Sequence, residues 1–204
     1  MKALKEINDK VLKQAKKLWG NEYGTIVQNS VGEMTDKGTV HSYIPEYEKL
    51  FEDKRLDTTK LLEIGIGHGG SIKLWHDYFP NAEIHAINIE SPNQPPYWFH
   101  HFPRITSYIK DAYTLGALEL FKDIKFDIII DDGPHTEDSQ IYAAKHYSKL
   151  LNKGGILVIE DVKYWSIKKI TKVLPYNVGD NHTVKDLRHI KNRDDDILII
   201  YESK

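Results

Sequence analysis

No cysteine occurs among the 204 residues. That excludes disulfides, thiolate zinc sites, iron–sulfur clusters and cysteine nucleophiles. Charge of neither sign prevails: 28 lysines and arginines stand against 30 aspartates and glutamates, a formal net charge of −2. Nothing therefore marks a dedicated nucleic-acid or anionic-membrane binder. No stretch approaches the ~20 consecutive apolar residues that a membrane span requires. Residues 1–19 also lack the continuous apolar run of a signal peptide. Instead Leu4, Ile7, Val11, Leu12, Ala15, Leu18 and Trp19 recur at helical spacing among lysines. This predicts an amphipathic helix lying on the domain or on a partner subunit. The expectation is a soluble cytoplasmic protein with no nucleic-acid or membrane partner, and a homo-oligomer if the apolar side of that helix meets a second copy.

What is present is an ordinary globular balance, 40% hydrophobic and 28% charged, in a chain long enough for one domain with a core. Strand-like runs are expected at Lys60–Ile64, Glu83–Ile89, Ile105–Ile109, Phe126–Asp131, Ile156–Ile159 and Ile197–Tyr201. Helical periodicity covers Gly70–Phe79, Thr114–Lys122, Glu137–Leu151 and Trp165–Val173. Asn152-Lys153-Gly154-Gly155 reads as a stop and turn. Strands spaced by helices predict an α/β, doubly wound, mostly parallel Rossmann-like sheet. Residues 1–59 read as a helical N-terminal extension and 60–204 as the ligand-binding domain. In such sheets ligands bind beyond the carboxyl ends of the strands, so the residues just after each strand are the ones to read for chemistry.

Glu63-Ile64-Gly65-Ile66-Gly67-His68-Gly69-Gly70 follows the first strand and opens a helix. Glycines there permit a sharp turn and a close approach of ligand to backbone. Gly65, Gly67 and Gly70 satisfy G-x-G-x-x-G, the fingerprint of nicotinamide dinucleotide folds. Glu63 argues otherwise, because a carboxylate before the first glycine repels pyrophosphate but pairs with an ammonium. A ligand carrying an amino acid, a ribose and an adenine suits the site, and S-adenosylmethionine is such a ligand.

Two acid clusters follow later strands: Asp131-Asp132-Gly133-Pro134-His135 after the fourth, and Glu160-Asp161 after the fifth. Neighbouring strands lie ~4.8 Å apart, so these carboxylates would crowd at one sheet edge and repel. A hard divalent cation resolves that repulsion, and oxygen ligands favour magnesium, calcium or manganese over zinc. Asp131 is the least apt of them, since side chains alternate along a strand.

With these residues the sequence resembles the class I S-adenosylmethionine-dependent methyltransferases. Glu63 to Gly70 looks like their first motif. Asn88 stands where the family usually places the acid that holds the ribose hydroxyls, with Glu90 as the substitute, and Asp111 matches the acid that contacts the adenine amino group. D-D-G-x-H after one strand and E-D after the next narrows the resemblance to the metal-dependent sugar O-methyltransferases of macrolide and related antibiotic pathways, and to the cephalosporin-hydroxylase-like group. The segment Thr35 to Tyr43 with Tyr47, and Asp194 to Leu198, are similar to stretches of the same enzymes.

The resemblance implies Glu63, Gly65, Gly67, Asn88, Glu90 and Asp111 at the cofactor, and Asp132, Glu160 and Asp161 on a metal, expected to be Mg2+. It implies His135 as the general base, an O-methyl transfer and a small-molecule hydroxyl acceptor, a sugar or glycoside. Tyr43 and His41 are expected on the acceptor side, and Tyr97, Trp98 and Phe99 in a lid. The alternatives left open are an NAD-type dehydrogenase, on the strength of the glycine pattern, and a non-catalytic S-adenosylmethionine-binding module.

Overall fold

A computed structural model describes residues 4–10, 35–67, 69–89, 102–175 and 182–204. The sheet is built from β1 (Lys60–Ile64), β2 (Glu83–Asn88), β3 (Ile105–Ile109), β4 (Phe126–Asp131), β5 (Leu151–Ile159), β6 (His182–Asp186) and β7 (Ile197–Glu202). Its order is β3-β2-β1-β4-β5-β7-β6. The five strands from β3 to β5 are parallel, while β7 runs antiparallel to both β5 and β6. This is the doubly wound arrangement expected, with one reversed strand, β7, set between β5 and the edge strand β6.

The helices are α1 (residues 4–10), α2 (Ile44–Phe51), α3 (Gly70–Tyr78), α4 (Leu115–Leu118), α5 (Glu137–His146), α6 (Ile167–Val173) and α7 (Arg188–Lys191). Strand side chains alternate between two apolar layers. Leu61, Ile128, Ile130, Ile156 and Val158 point into one, where α2 and α3 contribute Tyr43, Tyr47, Phe51, Trp75 and Phe79. Leu62, Ile64, Ile129, Leu157 and Ile159 point into the other, against Phe121, Ala143, Ala144, Tyr147 and Ile170. With both faces covered, β4 is a nearly unbroken run of buried apolar residues, as a central parallel strand must be.

Two departures from the sequence reading have physical causes. Strand β5 begins at Leu151 and passes through Asn152-Lys153-Gly154-Gly155 instead of turning there. Gly154 adopts φ +75, and its N–H donates to the Ser203 carbonyl at 2.7 Å, so edge pairing overrides the turn residues. Strand β6 falls outside that reading: its residues are polar or charged apart from the exposed Val184, and its burial pattern is weak. Leu4 and Ile7 are buried in the chain's own first layer, and the Leu4 N–H donates to Glu48 Oε1 at 3.0 Å. The described part of that apolar face is therefore covered within the chain. Val11 to Trp19, and the candidate lid of Tyr97, Trp98 and Phe99, lie outside the described residues.

Candidate active site

The carboxyl ends of β2, β1, β4 and β5 continue their pairing by one step past the strands. Gly65 N–H donates to the Ile87 carbonyl at 2.9 Å, Asp132 N–H to Ile64 at 2.9 Å, and Glu160 N–H to Asp131 at 3.0 Å. Gly65, Asp132 and Glu160 thus stand side by side at one rim. Gly65 sits at φ +93, and a Cβ there would lie 1.8 Å from the Asp132 carbonyl oxygen. Only glycine permits that approach. Gly67, at φ +48, faces open space with no heavy atom within 4 Å of a hypothetical Cβ.

A cavity of about 720 Å³ opens above these glycines, within the usual size of cofactor sites. Gly65, Gly67, Asn88, Asp111 and Asp132 line it, together with Ile87, Tyr113, Pro134 and Tyr142. Asn88 ends β2. Asp111 follows β3, and its Oδ1 accepts the Tyr113 N–H at 2.9 Å. The cap of α4 is Thr114, whose side chain accepts the Ala117 N–H at 3.3 Å. Glu90, His68, His100 and His101 lie outside the described residues.

Glu63 does not line the cavity. It is fully buried below the glycine turn, where Oε2 accepts from Trp75 Nε1 at 3.1 Å and Oε1 lies 3.3 Å from Lys37 Nζ. Burial, partly offset by the Lys37 ammonium, pushes its carboxyl up to about 7.

The two acid clusters meet as expected, but around a lysine. Lys37 Nζ, itself fully buried, lies 2.6 Å from Asp132 Oδ2 and 2.8 Å from Glu160 Oε1. Tyr47 also donates its hydroxyl to Glu160 Oε1. Burial opposes the Lys37 charge, yet the surrounding carboxylates hold its ammonium well above the ordinary range. Burial raises the Glu160 carboxyl well above its ordinary value despite that ammonium. Asp132 is likewise penalised by burial, but Lys37 and His135 hold its carboxyl below the usual value.

His135 bridges Asp132 and Asp161. Its Nε2 is 3.1 Å from Asp132 Oδ1 and its Nδ1 is 3.2 Å from Asp161 Oδ2. Burial acts to lower the imidazole, but the two carboxylates prevail and raise it above its ordinary value. Asp161 is braced from behind: Tyr43 donates its hydroxyl to Oδ1 at 2.6 Å, and His41 Nδ1 is 3.2 Å from the same oxygen. His41 in turn lies 3.2 Å from the buried Asp196. Asp132, His135 and Asp161 each offer a donor atom, and the three atoms lie within 4.8 Å of one another. The two carboxylates of that set suit a hard divalent cation, whereas the imidazole is not a usual ligand of one.

The sequence reading and the structure differ at several of these positions. Tyr43 and His41, expected on the acceptor side, are buried supports of Asp161. Asp131, by contrast, turns as expected to the opposite layer, where its Oδ1 accepts from Tyr113 OH at 2.6 Å. Glu160, expected on the metal, has its oxygens hydrogen-bonded by Lys37 and Tyr47, with acceptor capacity left on Oε2. Sequence reasoning missed Lys37 altogether. Its only signal was a lysine within the Thr35–Tyr43 segment, with no spacing to tie it to acids about 100 residues later.

No protein-family model matches the chain. Over 142 residues, 64% of its length, it is 30% identical to the 8-demethyl-8-alpha-L-rhamnosyl tetracenomycin-C 2'-O-methyltransferase of Streptomyces olivaceus, of which it covers 36%. Over 139 residues, 63% of its length, it is 32% identical to the demethylmacrocin O-methyltransferase of Streptomyces fradiae, of which it covers 34%. The chain thus spans about a third of the length of these relatives. Among solved structures it resembles the MycE methyltransferase of the mycinamycin biosynthetic pathway, in complex with Mg, SAH and mycinamycin VI, with a TM-score of 0.65 and 20% identity over 95% of this chain and 54% of that one. It also resembles a putative caffeoyl-CoA O-methyltransferase from Staphylococcus aureus, with a TM-score of 0.55 and 16% identity over 95% of this chain and 99% of that one. The chain has the Rossmann-like fold of the class I methyltransferases, and its sequence relatives are sugar O-methyltransferases of antibiotic pathways.

Proposed function

We propose that the chain transfers a methyl group from S-adenosylmethionine to a hydroxyl of a sugar or glycoside, with His135 as general base and a divalent ion, Mg2+, at the acid cluster. One observation carries this reading: a nucleoside-sized cavity over the Gly65–Gly67 turn opens directly beside the Asp132–His135–Asp161 constellation. The printed names of the relatives supply the chemical class, and the MycE title supplies Mg and SAH for that protein.

The cofactor's ribose falls to Asn88, and to Glu90 where it reaches, while its adenine falls between Asp111 and the apolar wall of Ile87 and Tyr142. Gly65 and Gly67 admit its backbone-facing side. Asp132 and Asp161 are the acids that would hold the ion, with Glu160 behind them. When bound, such an ion lowers the pKa of a ligating hydroxyl and fixes its direction.

His135 Nδ1 faces Asp161 and its Nε2 faces Asp132 Oδ1; as general base it would take the acceptor proton at Nε2 once that carboxylate oxygen was taken up by the ion. When bound, S-adenosylmethionine would supply the methyl group to that oxygen and depart as S-adenosylhomocysteine, its sulfur keeping the electron pair of the broken carbon–sulfur bond. Positioning of the two reactants supplies much of the rate. The extension of residues 1–59 contributes Lys37, His41, Tyr43 and Tyr47 to the site's support. No described helix is long and apolar enough to cross a membrane. Acceptor specificity then rests on residues outside the described core or on a second copy in a homo-oligomer.

The test is transfer of radiolabelled methyl from S-adenosylmethionine to a panel of rhamnosylated and macrolide glycosides, with and without EDTA. Label in a glycoside that EDTA abolishes and Mg2+ restores supports the reading. Hydride transfer with NADH, or S-adenosylhomocysteine binding with no acceptor methylated across the panel, favours one of the alternatives.

A further inference from the structure

The side-chain alternation of three neighbouring strands fixes where their terminal acids point. Leu61 and Glu63 of β1, Ile128 and Ile130 before Asp132, and Ile156 and Val158 before Glu160 share one face of the sheet. All three acids therefore aim at the layer occupied by residues 35–51. There the chain places one ammonium. Lys37 Nζ is 3.3 Å from Glu63 Oε1, 2.6 Å from Asp132 Oδ2 and 2.9 Å from Glu160 Oε2. The Lys37 side chain is 0% exposed, and the turn that carries it is locked: Tyr43 N–H donates to the Lys37 carbonyl at 2.9 Å. A lysine buried this completely has nowhere to withdraw to.

Asp132 is the shared member of two groups. Its Oδ2 faces Lys37 and its Oδ1 faces His135. A carboxylate held by one oxygen presents the other in a fixed direction, and pre-oriented ligands bind an ion without first paying to gather mutually repelling charges.

We propose that Lys37 is the positioning residue of this site and stays in place when a divalent ion binds: its ammonium ties the acids of β1, β4 and β5 together and turns Asp132 outward toward His135 and Asp161. The cluster then holds two cations side by side, one built in and one exchangeable. Lys37 does not touch the reacting atoms. This rests on the metal-assisted reading above, and the test separates the two.

Crystals of the wild-type chain are grown with Mn2+ and S-adenosylhomocysteine, and the anomalous signal locates the ion. The expected peak lies beside Asp132 and Asp161, with Lys37 Nζ still within hydrogen-bond distance of Asp132 and Glu160. A peak at the ammonium's own position, with Lys37 displaced, overturns the proposal and leaves metal assistance standing. No peak at all overturns both. In solution, Mn2+ titration followed by electron paramagnetic resonance compares wild type, K37M and K37R. Expected for K37M is at least a tenfold loss of Mn2+ affinity, with S-adenosylhomocysteine affinity within threefold of wild type and partial recovery of Mn2+ binding in K37R. Equal or tighter Mn2+ binding by K37M overturns the proposal, because Lys37 would then only compete with the ion. If K37M does not fold, the wild-type crystal decides.

Discussion

His135 Nδ1 lies 3.2 Å from Asp161 Oδ2, and both residues take left-handed backbone, at φ 56 and φ 54. Non-glycine residues in that region cost roughly 1–3 kcal/mol each and persist only where their surroundings hold them. Here the strain aims an imidazole and a carboxylate at one point beside the cavity. His135→Ala is expected to cut methyl transfer by at least ~10²-fold. S-adenosylhomocysteine affinity, read by calorimetry, should stay within about threefold, since His135 does not line the cavity. Turnover near the wild-type rate would reject His135 as the base.

The two glycines of the turn predict opposite phenotypes. Gly65→Ala drives a methyl group against the Asp132 carbonyl at 1.8 Å and strains the φ +93 backbone. A loss of about 3 kcal/mol or more is expected in denaturant unfolding. Gly67→Ala meets open space and pays only the left-handed backbone cost, about 1–2 kcal/mol. Its methyl projects where ligand approaches, so its larger effect should be weaker S-adenosylhomocysteine binding. Equal stability losses at the two positions would contradict the packing described.

On the proposed reading, Asn88, which lines the cavity, sets the strength of the ribose grip. An uncharged amide accepts a hydroxyl hydrogen bond about half as strongly as a carboxylate does. N88D should tighten S-adenosylhomocysteine binding by about threefold to tenfold, or about 1 kcal/mol. Weaker binding in N88D would show that the amide's donor group, or another acid, already fills that role.

Asp77 gives stability a defined acid limb. Burial raises its carboxyl, but hydrogen bonds from His76 and Lys73 outweigh that and lower it to about 2. The group is therefore depressed below its unfolded value of ~3.8, so its contribution is complete above that value and vanishes as pH falls toward 2. D77N should cost about 1–2 kcal/mol at pH 6, allowing for its partly exposed side chain. The gap to wild type should close between roughly pH 4 and pH 2. A gap independent of pH would mean that Asp77 acts by packing rather than charge.

Much of this was legible in the chain. The boundaries of β1 and β4 follow directly from apolar runs buried on both sides, and Gly65 and Gly67 mark the turn beneath the cavity. The acids Asp132, Glu160 and Asp161 are readable because strand order in α/β sheets gathers carboxyl ends at one rim. Lys37, His41 and Tyr43 are different. Their roles depend on a loop before β1 folding under the rim, a long-range contact that no local period encodes. Glu63 shows the same limit, because strand parity sends it into the protein layer while motif position alone points it at the ligand. Strand β6 escaped because its pairing to β7, not its own side chains, makes it a strand.

The cavity over the glycine turn either receives S-adenosylmethionine or the account fails, and calorimetric titration of the intact chain with S-adenosylhomocysteine, alongside NADH, decides it. Saturable one-to-one binding of S-adenosylhomocysteine with no heat from NADH is the predicted result. Binding of NADH in its place, or of neither, would contradict it.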